Sequence, residues 1–268
     1  MGSYLRTSEI VSLNRLREET YGNVLCYPRY NRKEAIKRVK ELKHLSVKAL
    51  EFIGEKTAFN VPVLGKGCVG IVVRALLNKK RVALKIRRVD ADRLGMQHEA
   101  EMLKTVNKVE VGPRLIGVSE NFLLMEFVEG SLLPEWIERL KGKGTRNRIR
   151  QVLWDVLEQC WRLDEIGLDH GELSRAPKHI IIGRDNKAVI VDFETASLQR
   201  RVSNVTSICQ YFFIGSQTAK TIQRKLGKIN QETLRTNLKT YKQNRTRENF
   251  NKILHVCGLL VAVGCSPS

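Results

Sequence analysis

The stretch GKGCVGIVVRALLNKKRVALKI, residues 65–86, determines the fold expected of this chain. Valine, isoleucine and leucine dominate it, and a glycine-rich break and an Asn-Lys-Lys turn separate its apolar runs. Such runs predict two or three antiparallel strands. Gly65, Gly67 and Gly70 are therefore followed by a strand, whereas the glycines of a dinucleotide-binding turn open a helix.

A glycine-rich loop between two strands is typical of a segment that folds over phosphate groups. Backbone N–H groups can approach an anion closely where side chains are missing. Lys66 lies inside this loop. The same pattern also fits an ordinary glycine-rich hairpin, so the residues that follow must decide between the two interpretations.

Lys85 lies in the next apolar run, VALKI. A buried ammonium group needs an acidic partner, whereas a lysine at a strand edge would simply face solvent. Glu99 and Leu103 have E-x-x-x-L spacing on the next predicted helix, which points Glu99 toward the sheet. Glu101 lies nearly opposite on that helix, so Glu99 is the expected partner of Lys85.

Two later segments place polar groups at the ends of predicted strands. FLLMEFVEG, residues 122–130, is an apolar run that enters an acidic, glycine-ended turn, which fits either a hinge or a plain edge strand. Asp192 follows the apolar run VIV. A carboxylate in that position can hold Mg²⁺ beside phosphates, and an aspartate there equally caps turns.

Taken in order, these features resemble the protein-kinase-like superfamily over about residues 60–215. IRRVDADR, GPRLIG and VDFETAS are more specifically similar to the archaeal predicted Ser/Thr protein kinase family. That family is allied to the RIO kinases and to the small kinase of the KEOPS tRNA-modification complex. The residues that carry the resemblance are Gly65-x-Gly67-x-x-Gly70, Val82-Ala-Leu-Lys85, Glu99, Met125–Gly130, His170-Gly-Glu-Leu173 and Asp192-Phe193.

The resemblance implies an α+β, bilobal protein-kinase-like fold with a small β-rich N-lobe and a reduced, mainly α-helical C-lobe. Residues 1–57 are expected to form a helical N-terminal extension. Residues 58–130 would form the N-lobe and hinge, and residues 131–268 the reduced C-lobe with its basic C-terminal helices. Apolar spacings of three and four over residues 7–19 and 32–45 favour helices in the extension.

ATP is the nucleotide that the resemblance implies, with Mg²⁺ or Mn²⁺ as the metal. Lys85 would orient the α and β phosphates, and Glu99 would hold Lys85. Met125 would lie at the back of the adenine pocket, where backbone groups of Glu126 and Val128 would bond the base edge. The full nucleotide-binding set is Gly65, Lys66, Gly67, Gly70, Lys85, Glu99, Met125, Glu126 and Val128.

LDHGELSRAPKHIII, which begins at Leu168, takes the place of the catalytic loop. Glu172 stands where the superfamily has aspartate and would be the catalytic carboxylate, because phosphoryl transfer depends mainly on positioning and charge neutralisation. Pro177 stands where the metal-binding asparagine is expected. A neutral His179 could ligate the metal, Lys178 could neutralise the γ-phosphate, or both could only line a strand. The catalytic residues implied are Glu172, Asp192 and Lys85, and the metal ligands are Asp192 and His179.

Two departures from the superfamily pattern concern regulation. Only a short segment separates Asp192 from the next predicted helix, which begins near Ser203 or Asn204, and no Ala-Pro-Glu motif follows. Gly171 replaces the arginine that would bind an activation-loop phosphate. Glu194 replaces a glycine and adds negative charge beside the metal. Regulation by phosphorylation of this segment is therefore not expected.

Composition limits the other classes of protein to which the chain could belong. The chain has 268 residues, 42% hydrophobic and 28% charged, as expected for a globular protein with a substantial core. Apolar runs shorter than the roughly 18 residues of a membrane span, and a start without a signal-peptide pattern, predict an intracellular, cytoplasmic protein without membrane contact. The six cysteines are scattered without a C-x-x-C pair, which favours free thiols over a zinc site.

The net charge is +19 and is distributed unevenly. From Arg200 onward, twelve lysines and arginines face only two acids, Glu232 and Glu248. A surface of this kind attracts polyanions. The basic C-terminal region therefore predicts either a contact with RNA or a ribonucleoprotein, or a solvated basic face without a partner.

These observations together predict an atypical Ser/Thr protein kinase. It would transfer the γ-phosphate of ATP to a hydroxyl of a protein substrate, including one of its own. One alternative is a nucleotide-binding ATPase switch or pseudokinase attached to an RNA-protein assembly. Another is a small-molecule phosphotransferase, because such enzymes also have a short activation region.

Overall fold

The computed structural model describes residues 8–260, apart from the side chains of Arg93 and Leu94. The chain forms two compact units. The first comprises the residues up to 107 and residues 113–127, and the second comprises residues 108–112 and those from 128 onward. None of the described helices is long and apolar enough to cross a membrane.

The first unit is an antiparallel sheet with three helices. Its strands are β1 (Glu9–Ser12), β2 (Val47–Phe52), β3 (Lys56–Ala58), β4 (Val61–Val63), β5 (Gly65–Lys66), β6 (Gly70–Leu77), β7 (Lys80–Arg87), β8 (Leu115–Val118) and β9 (Phe122–Glu126). Its helices are α1 (Glu19–Leu25), α2 (Arg32–His44) and α3 (Arg93–Asn107). The main sheet has the order β1-β2-β6-β7-β9-β8, with β5 paired to β6, while β3 and β4 form a separate pair.

The hairpin of β6 and β7 is the centre of this sheet. Its register runs from Gly70 opposite Arg87 to Leu77 opposite Lys80. Asn78 and Lys79 form the turn with φ values of 46° and 67°, the left-handed pair that a tight two-residue hairpin requires. The last six residues of β7 are buried, so the apolar run seen in the sequence lies in the core.

The N-terminal segment corrects one expectation. Residues 32–45 do form a helix, α2, because Asn31 caps it through the Glu34 N–H and Val39 and Leu42 pack into the core. Residues 7–19 were expected to be helical, but from Ser8 onward they contain β1, which pairs with β2. Both strands belong to the main sheet, so residues 1–57 are not a purely helical extension. The hydrogen bonds of β1 to a distant strand outweigh its helix-like spacing.

The second unit is mainly helical. It contains β10 (Gly130–Leu132), α4 (Leu133–Arg139), α5 (Thr145–Glu165), β11 (Ile180–Gly183), β12 (Ala188–Ile190), α6 (Asn204–Cys209), α7 (Gln217–Leu226), α8 (Gln231–Gln243) and α9 (Arg247–Val256). The central helix, α5, buries an apolar face that includes Ile149, Val156 and Leu163. β10, β11 and β12 form a small antiparallel sheet. The expected fold class, a β-rich N-terminal part and a helical C-terminal part, is confirmed.

Candidate functional site

The glycine-rich loop joins β5 to β6 in the first unit. The Gly67 N–H donates to the Gly70 carbonyl at 2.9 Å, which closes the turn. A Cβ atom on Gly70 would lie 2.8 Å from the Ile86 carbonyl oxygen and 3.1 Å from Lys85 Cγ. Glycine is therefore required at position 70, because β6 begins there directly beside the end of β7, the strand that carries Lys85.

Lys85 and Glu99 meet in the same unit. The Lys85 Nζ donates to Glu99 Oε2 at 2.7 Å, and the two side chains are only 7% and 4% exposed. Lys85 is near the end of β7, paired with Val72 of β6 and Leu123 of β9, and Glu99 is on α3. The alternative acid, Glu101, is exposed. The structure thus pairs the lysine with the acid expected from the spacing.

The segment expected to be a hinge divides between the two units after Phe127. Met125 is partly buried against Leu123, and Glu126 ends β9. The backbone N–H of Glu126 donates to the Arg114 carbonyl at 2.9 Å. The base contacts of Met125, Glu126 and Val128 remain predictions.

A buried carboxylate holds the candidate catalytic loop in the second unit. Asp164, near the end of α5, accepts hydrogen bonds from the Asn204 amide at 2.8 Å and from the Tyr241 hydroxyl at 2.8 Å. Asn204 in turn accepts from the backbone N–H of His170 at 2.9 Å. Burial raises the pKa of Asp164, although these hydrogen bonds oppose the shift. Sequence reasoning missed Asp164 and Tyr241, because they are 77 positions apart and no local pattern links them.

Glu172, His179 and Asp192 converge in this unit. His179 Nε2 lies 2.6 Å from Glu172 Oε2, and His179 Nδ1 lies 3.5 Å from Asp192 Oδ2. The imidazole is buried, while the Glu172 and Asp192 side chains are 36% and 31% exposed. Lys178 is exposed. Of the two candidates for the place of the missing asparagine, His179 is therefore the one beside the carboxylates.

The backbone fixes this cluster from both sides. Asp192 follows β12 with a φ of 73°, a left-handed conformation that costs a non-glycine residue about 1–2 kcal/mol. The Val191 N–H donates to the His179 carbonyl at 2.9 Å, which sets the two segments side by side. A strained residue held by its neighbours is common at functional sites.

These three side chains fit a divalent metal ion. Their ligand atoms all lie within 4.8 Å of one another, and two carboxylates with one imidazole suit Mg²⁺, Mn²⁺ and similar ions. Despite the short contact with Glu172, neither ring nitrogen of His179 has a partner in hydrogen-bond geometry. Burial lowers the pKa of His179, which Asp192 and Glu172 only partly offset. A neutral, buried imidazole with unsatisfied nitrogens is a competent metal ligand.

His170 packs behind the cluster. Its ring is 5.5 Å from that of His179 and 5.0 Å from that of Phe193, between ring centroids. Burial lowers the pKa of His170 to about 4, with the nearby His179 as the second cause. The ring is therefore neutral at pH 7, and its Nε2–H donates to the Val191 carbonyl at 3.2 Å.

Gly171 shows why no arginine occupies its position. Its φ is +90°, and a Cβ atom there would lie 2.5 Å from Arg200 Nη2. The Arg200 guanidinium donates to Asp169 Oδ2 at 3.0 Å and to the Thr195 carbonyl. Arg200 thus fills the space beside the loop and ties it to the segment after Asp192.

The comparisons with known proteins agree with this geometry. Residues 72–204 match the sequence model of the RIO domain. The matched region contains Lys85, Glu99, Glu172, His179 and Asp192, whereas the three loop glycines precede it. The chain is also similar to the uncharacterized protein MJ1211 of Methanocaldococcus jannaschii, at 29% identity over 102 residues. That alignment covers 38% of this chain and 83% of MJ1211.

The resemblance seen in the motifs is therefore confirmed at the level of the family. An antiparallel N-terminal sheet with a buried Lys-Glu pair, a helical C-terminal part with a Glu-His-Asp cluster, and the sequence match all point in the same direction. The chain carries, over residues 72–204, a RIO domain of the atypical protein-kinase-like family.

Proposed function

We propose that this chain is an atypical Ser/Thr protein kinase that transfers the γ-phosphate of ATP to a protein hydroxyl, with its own hydroxyls among the candidate acceptors. The observation that carries the proposal is the convergence of Glu172, His179 and Asp192. Two partly exposed carboxylates around a buried neutral imidazole combine metal ligation with access for a substrate hydroxyl.

Glu172, His179 and Asp192 of the second unit have distinct roles in this reaction. Asp192 and His179 would hold Mg²⁺ or Mn²⁺, which supplies charge neutralisation for the phosphates. The hydroxyl oxygen attacks the γ-phosphorus, and the bond from that phosphorus to the β–γ bridging oxygen breaks. Glu172 accepts the hydroxyl proton. A carboxylate has two oxygens, so Glu172 can contact His179 or the cation with one and the substrate with the other.

The first unit supplies the groups for the nucleotide. The backbone N–H groups of the glycine-rich loop are suited to phosphate oxygens. Lys85 would contact the α and β phosphates, and Glu99 keeps its ammonium group in place. This pairing also explains how a lysine can be buried, because the acid offsets the cost of removing its charge from water.

The second candidate is an ATPase switch or pseudokinase. Pro177 at the asparagine position and Glu194 beside Asp192 favour it, since both depart from the superfamily pattern. In this reading water replaces the protein hydroxyl, or transfer does not occur. The fold alone is compatible with both candidates.

Incubation of the purified protein with ATP labelled at the γ-phosphate distinguishes these functions. Labelled protein, or a labelled protein substrate added to the reaction, supports the kinase. Free labelled phosphate alone supports the ATPase, and neither product supports the pseudokinase. Asp192→Asn is the negative control, because it removes one ligand charge with little change in volume.

We also propose that the basic C-terminal region contacts RNA. Of the twelve lysines and arginines from Arg200 onward, all but Lys225 are exposed, so their charge faces solvent. Arg200, Arg247 and Lys252 form ion pairs with Asp169, Glu158 and Glu248. The larger remainder has no ion pair among the described residues, which leaves a cationic surface for phosphate groups.

Binding of a fluorescent single-stranded RNA at several salt concentrations tests this proposal. The binding constant should fall steeply as salt rises. Replacing Lys239, Lys242 and Arg245 with glutamine should weaken binding and reduce the salt slope. The same replacement at Lys33 and Lys40, two exposed lysines of α2, is the control. The proposal would be contradicted if RNA did not bind at low salt, or if the triple variant and the control variant bound RNA with the same affinity.

A further inference from the structure

Tyr27 connects the N-terminal segment to the glycine-rich loop. It lies between α1 and α2, outside the region that matches the RIO domain. Its half-buried ring has Lys66 Nζ at 4.9 Å and Arg88 Cζ at 5.0 Å from the ring centroid. Lys66 lies where the loop begins and Arg88 follows β7, so one aromatic ring contacts one cation from each of these two segments.

Backbone hydrogen bonds join the same three segments. The Val89 N–H donates to the Tyr27 carbonyl at 2.9 Å. The Arg88 N–H donates to the Val69 carbonyl at 2.9 Å, and the Arg88 guanidinium reaches the Gly67 carbonyl at 3.4 Å. The tyrosine, the loop tip and the end of β7 are therefore linked through Arg88.

Arg88 is itself held in place. Its guanidinium donates to both carboxylate oxygens of Asp90, at 2.8 and 2.7 Å. The loop, in contrast, contributes little packing of its own, because Gly67 and Gly70 have no side chains. The two cations on the Tyr27 ring join this loop to the N-terminal segment.

We propose that Tyr27 is a positioning residue for the nucleotide. It acts through Lys66 and Arg88 to hold the loop, Gly65–Gly70, in the conformation that receives the phosphates of ATP. The inference rests on the proposed nucleotide binding, but the effect on the loop itself can be measured without nucleotide. The N-terminal segment thereby becomes a part of the nucleotide site rather than a separate attachment.

The loop contains its own reporter position. Cys68 is exposed, whereas Cys26, Cys160, Cys209 and Cys257 are buried. Cys265 lies outside the described residues, and Cys265→Ser removes it as a labelling site. A nitroxide spin label attached to Cys68 then reports the mobility of the loop by electron paramagnetic resonance.

Three variants separate positioning from general destabilisation. Tyr27→Leu removes both cation–π contacts and should increase the mobile fraction of the label at least twofold. Tyr27→Phe keeps the aromatic face and should give the original spectrum. Tyr30→Leu is the matched control, because Tyr30 is also half-buried but packs on Gly22 and donates to the Arg17 carbonyl. An unchanged spectrum for Tyr27→Leu, or an equal change for Tyr30→Leu, would overturn the proposal.

Nucleotide affinity provides the second readout. In the unlabelled protein, Tyr27→Leu should raise the Kd of a fluorescent ATP analogue about fivefold to tenfold, as expected for two exposed cation–π contacts. Tyr27→Phe should have the Kd of the original protein. The kcat of Tyr27→Leu should stay within about twofold of the original value. A mobile loop with unchanged affinity would overturn the link to the nucleotide. If the original protein binds no ATP, the proposed function fails, and the label spectra alone decide whether Tyr27 positions the loop.

Discussion

His179 Nε2 lies 2.6 Å from Glu172 Oε2, although the two residues are separated by a loop that includes Pro177. A one-turn helix at Leu173–Arg175 folds this loop back and brings the start of β11 beside Glu172. An imidazole therefore occupies the neighbourhood of both carboxylates, where the related kinases are expected to have an amide. This replacement of an amide by an imidazole determines which metal ions the site prefers.

Because His179 takes the place of an asparagine, we expect the site to favour Mn²⁺ over Mg²⁺ more than a site with an amide does. Imidazole binds Mn²⁺ and later transition metals better than an amide oxygen does, whereas Mg²⁺ prefers oxygen. His179→Asn should therefore lower the ratio of phosphate transfer with Mn²⁺ to that with Mg²⁺, by about tenfold. His179→Leu should abolish transfer with either metal. His255→Asn, at an exposed position on α9, is the control and should leave the ratio unchanged.

Variants of the Lys85–Glu99 pair should affect the free energy of unfolding and the rate of phosphate transfer differently. Glu99→Gln removes the negative charge that faces the buried Lys85 ammonium and should lower the free energy of unfolding by about 3–5 kcal/mol. Lys85→Met combined with Glu99→Leu should recover most of that loss, because apolar side chains fill the same space. Denaturant unfolding measures the stability. The double variant should still lack phosphate transfer, and a rate equal to that of the original protein would contradict the role of Lys85.

A side chain at position 171 should destabilise the protein for a steric and a conformational reason. Gly171→Ala should lower the free energy of unfolding by about 2–3 kcal/mol, because a left-handed alanine costs about 1–2 kcal/mol and Arg200 must also give up its hydrogen bonds. Gly142→Ala is the control, since Gly142 has a φ of +83° with nothing within 4 Å of its Cβ. In an Arg200→Ala background the extra cost of Gly171→Ala should shrink to the part that comes from Thr195, whose Oγ1 and carbonyl oxygen lie 3.1 and 3.2 Å from the added Cβ. Equal costs in the original background would exclude the role of Arg200.

His170 predicts a pH dependence of stability. Its pKa is about 4 in the folded protein and about 6.5 when unfolded, so between these values only the unfolded chain takes up the proton. The free energy of unfolding should be constant above pH 6.5 and fall by about 3 kcal/mol as pH drops to 4. Denaturant unfolding of the metal-free protein, with a chelator present, measures this dependence. His170→Gln should reduce the slope and leave the contribution of His179, whose pKa burial also lowers. The same slope in that variant would assign the proton uptake to another group.

The sequence was sufficient where local patterns determine the structure. Runs rich in valine, isoleucine and leucine, separated by a turn, predicted the hairpin of β6 and β7. The spacing of Glu99 and Leu103 predicted the partner of Lys85. In both cases the decisive interactions connect neighbouring elements of the chain. The family resemblance rested on the same motifs and held for that reason.

The sequence was insufficient where distant segments decide the outcome. β1 has helix-like spacing and became a strand because β2 offered it a partner. The choice between Lys178 and His179 depended on how the residues just before β11 are placed, because Lys178 is exposed and the next residue, His179, is buried. The network of Asp164, Asn204 and Tyr241 joins residues far apart in the chain, so no window of sequence reveals it.

The claim that Glu172, His179 and Asp192 form one metal site is tested most directly by NMR of the histidine rings. The chain has five histidines, so ¹⁵N-histidine labelling gives few and resolvable signals. Substoichiometric Mn²⁺ should broaden the signals of His179 and His170 before that of His255, which belongs to the same unit. In Asp192→Asn this selective broadening should disappear. Equal broadening of all three signals, or the same selectivity in Asp192→Asn, would contradict the metal site.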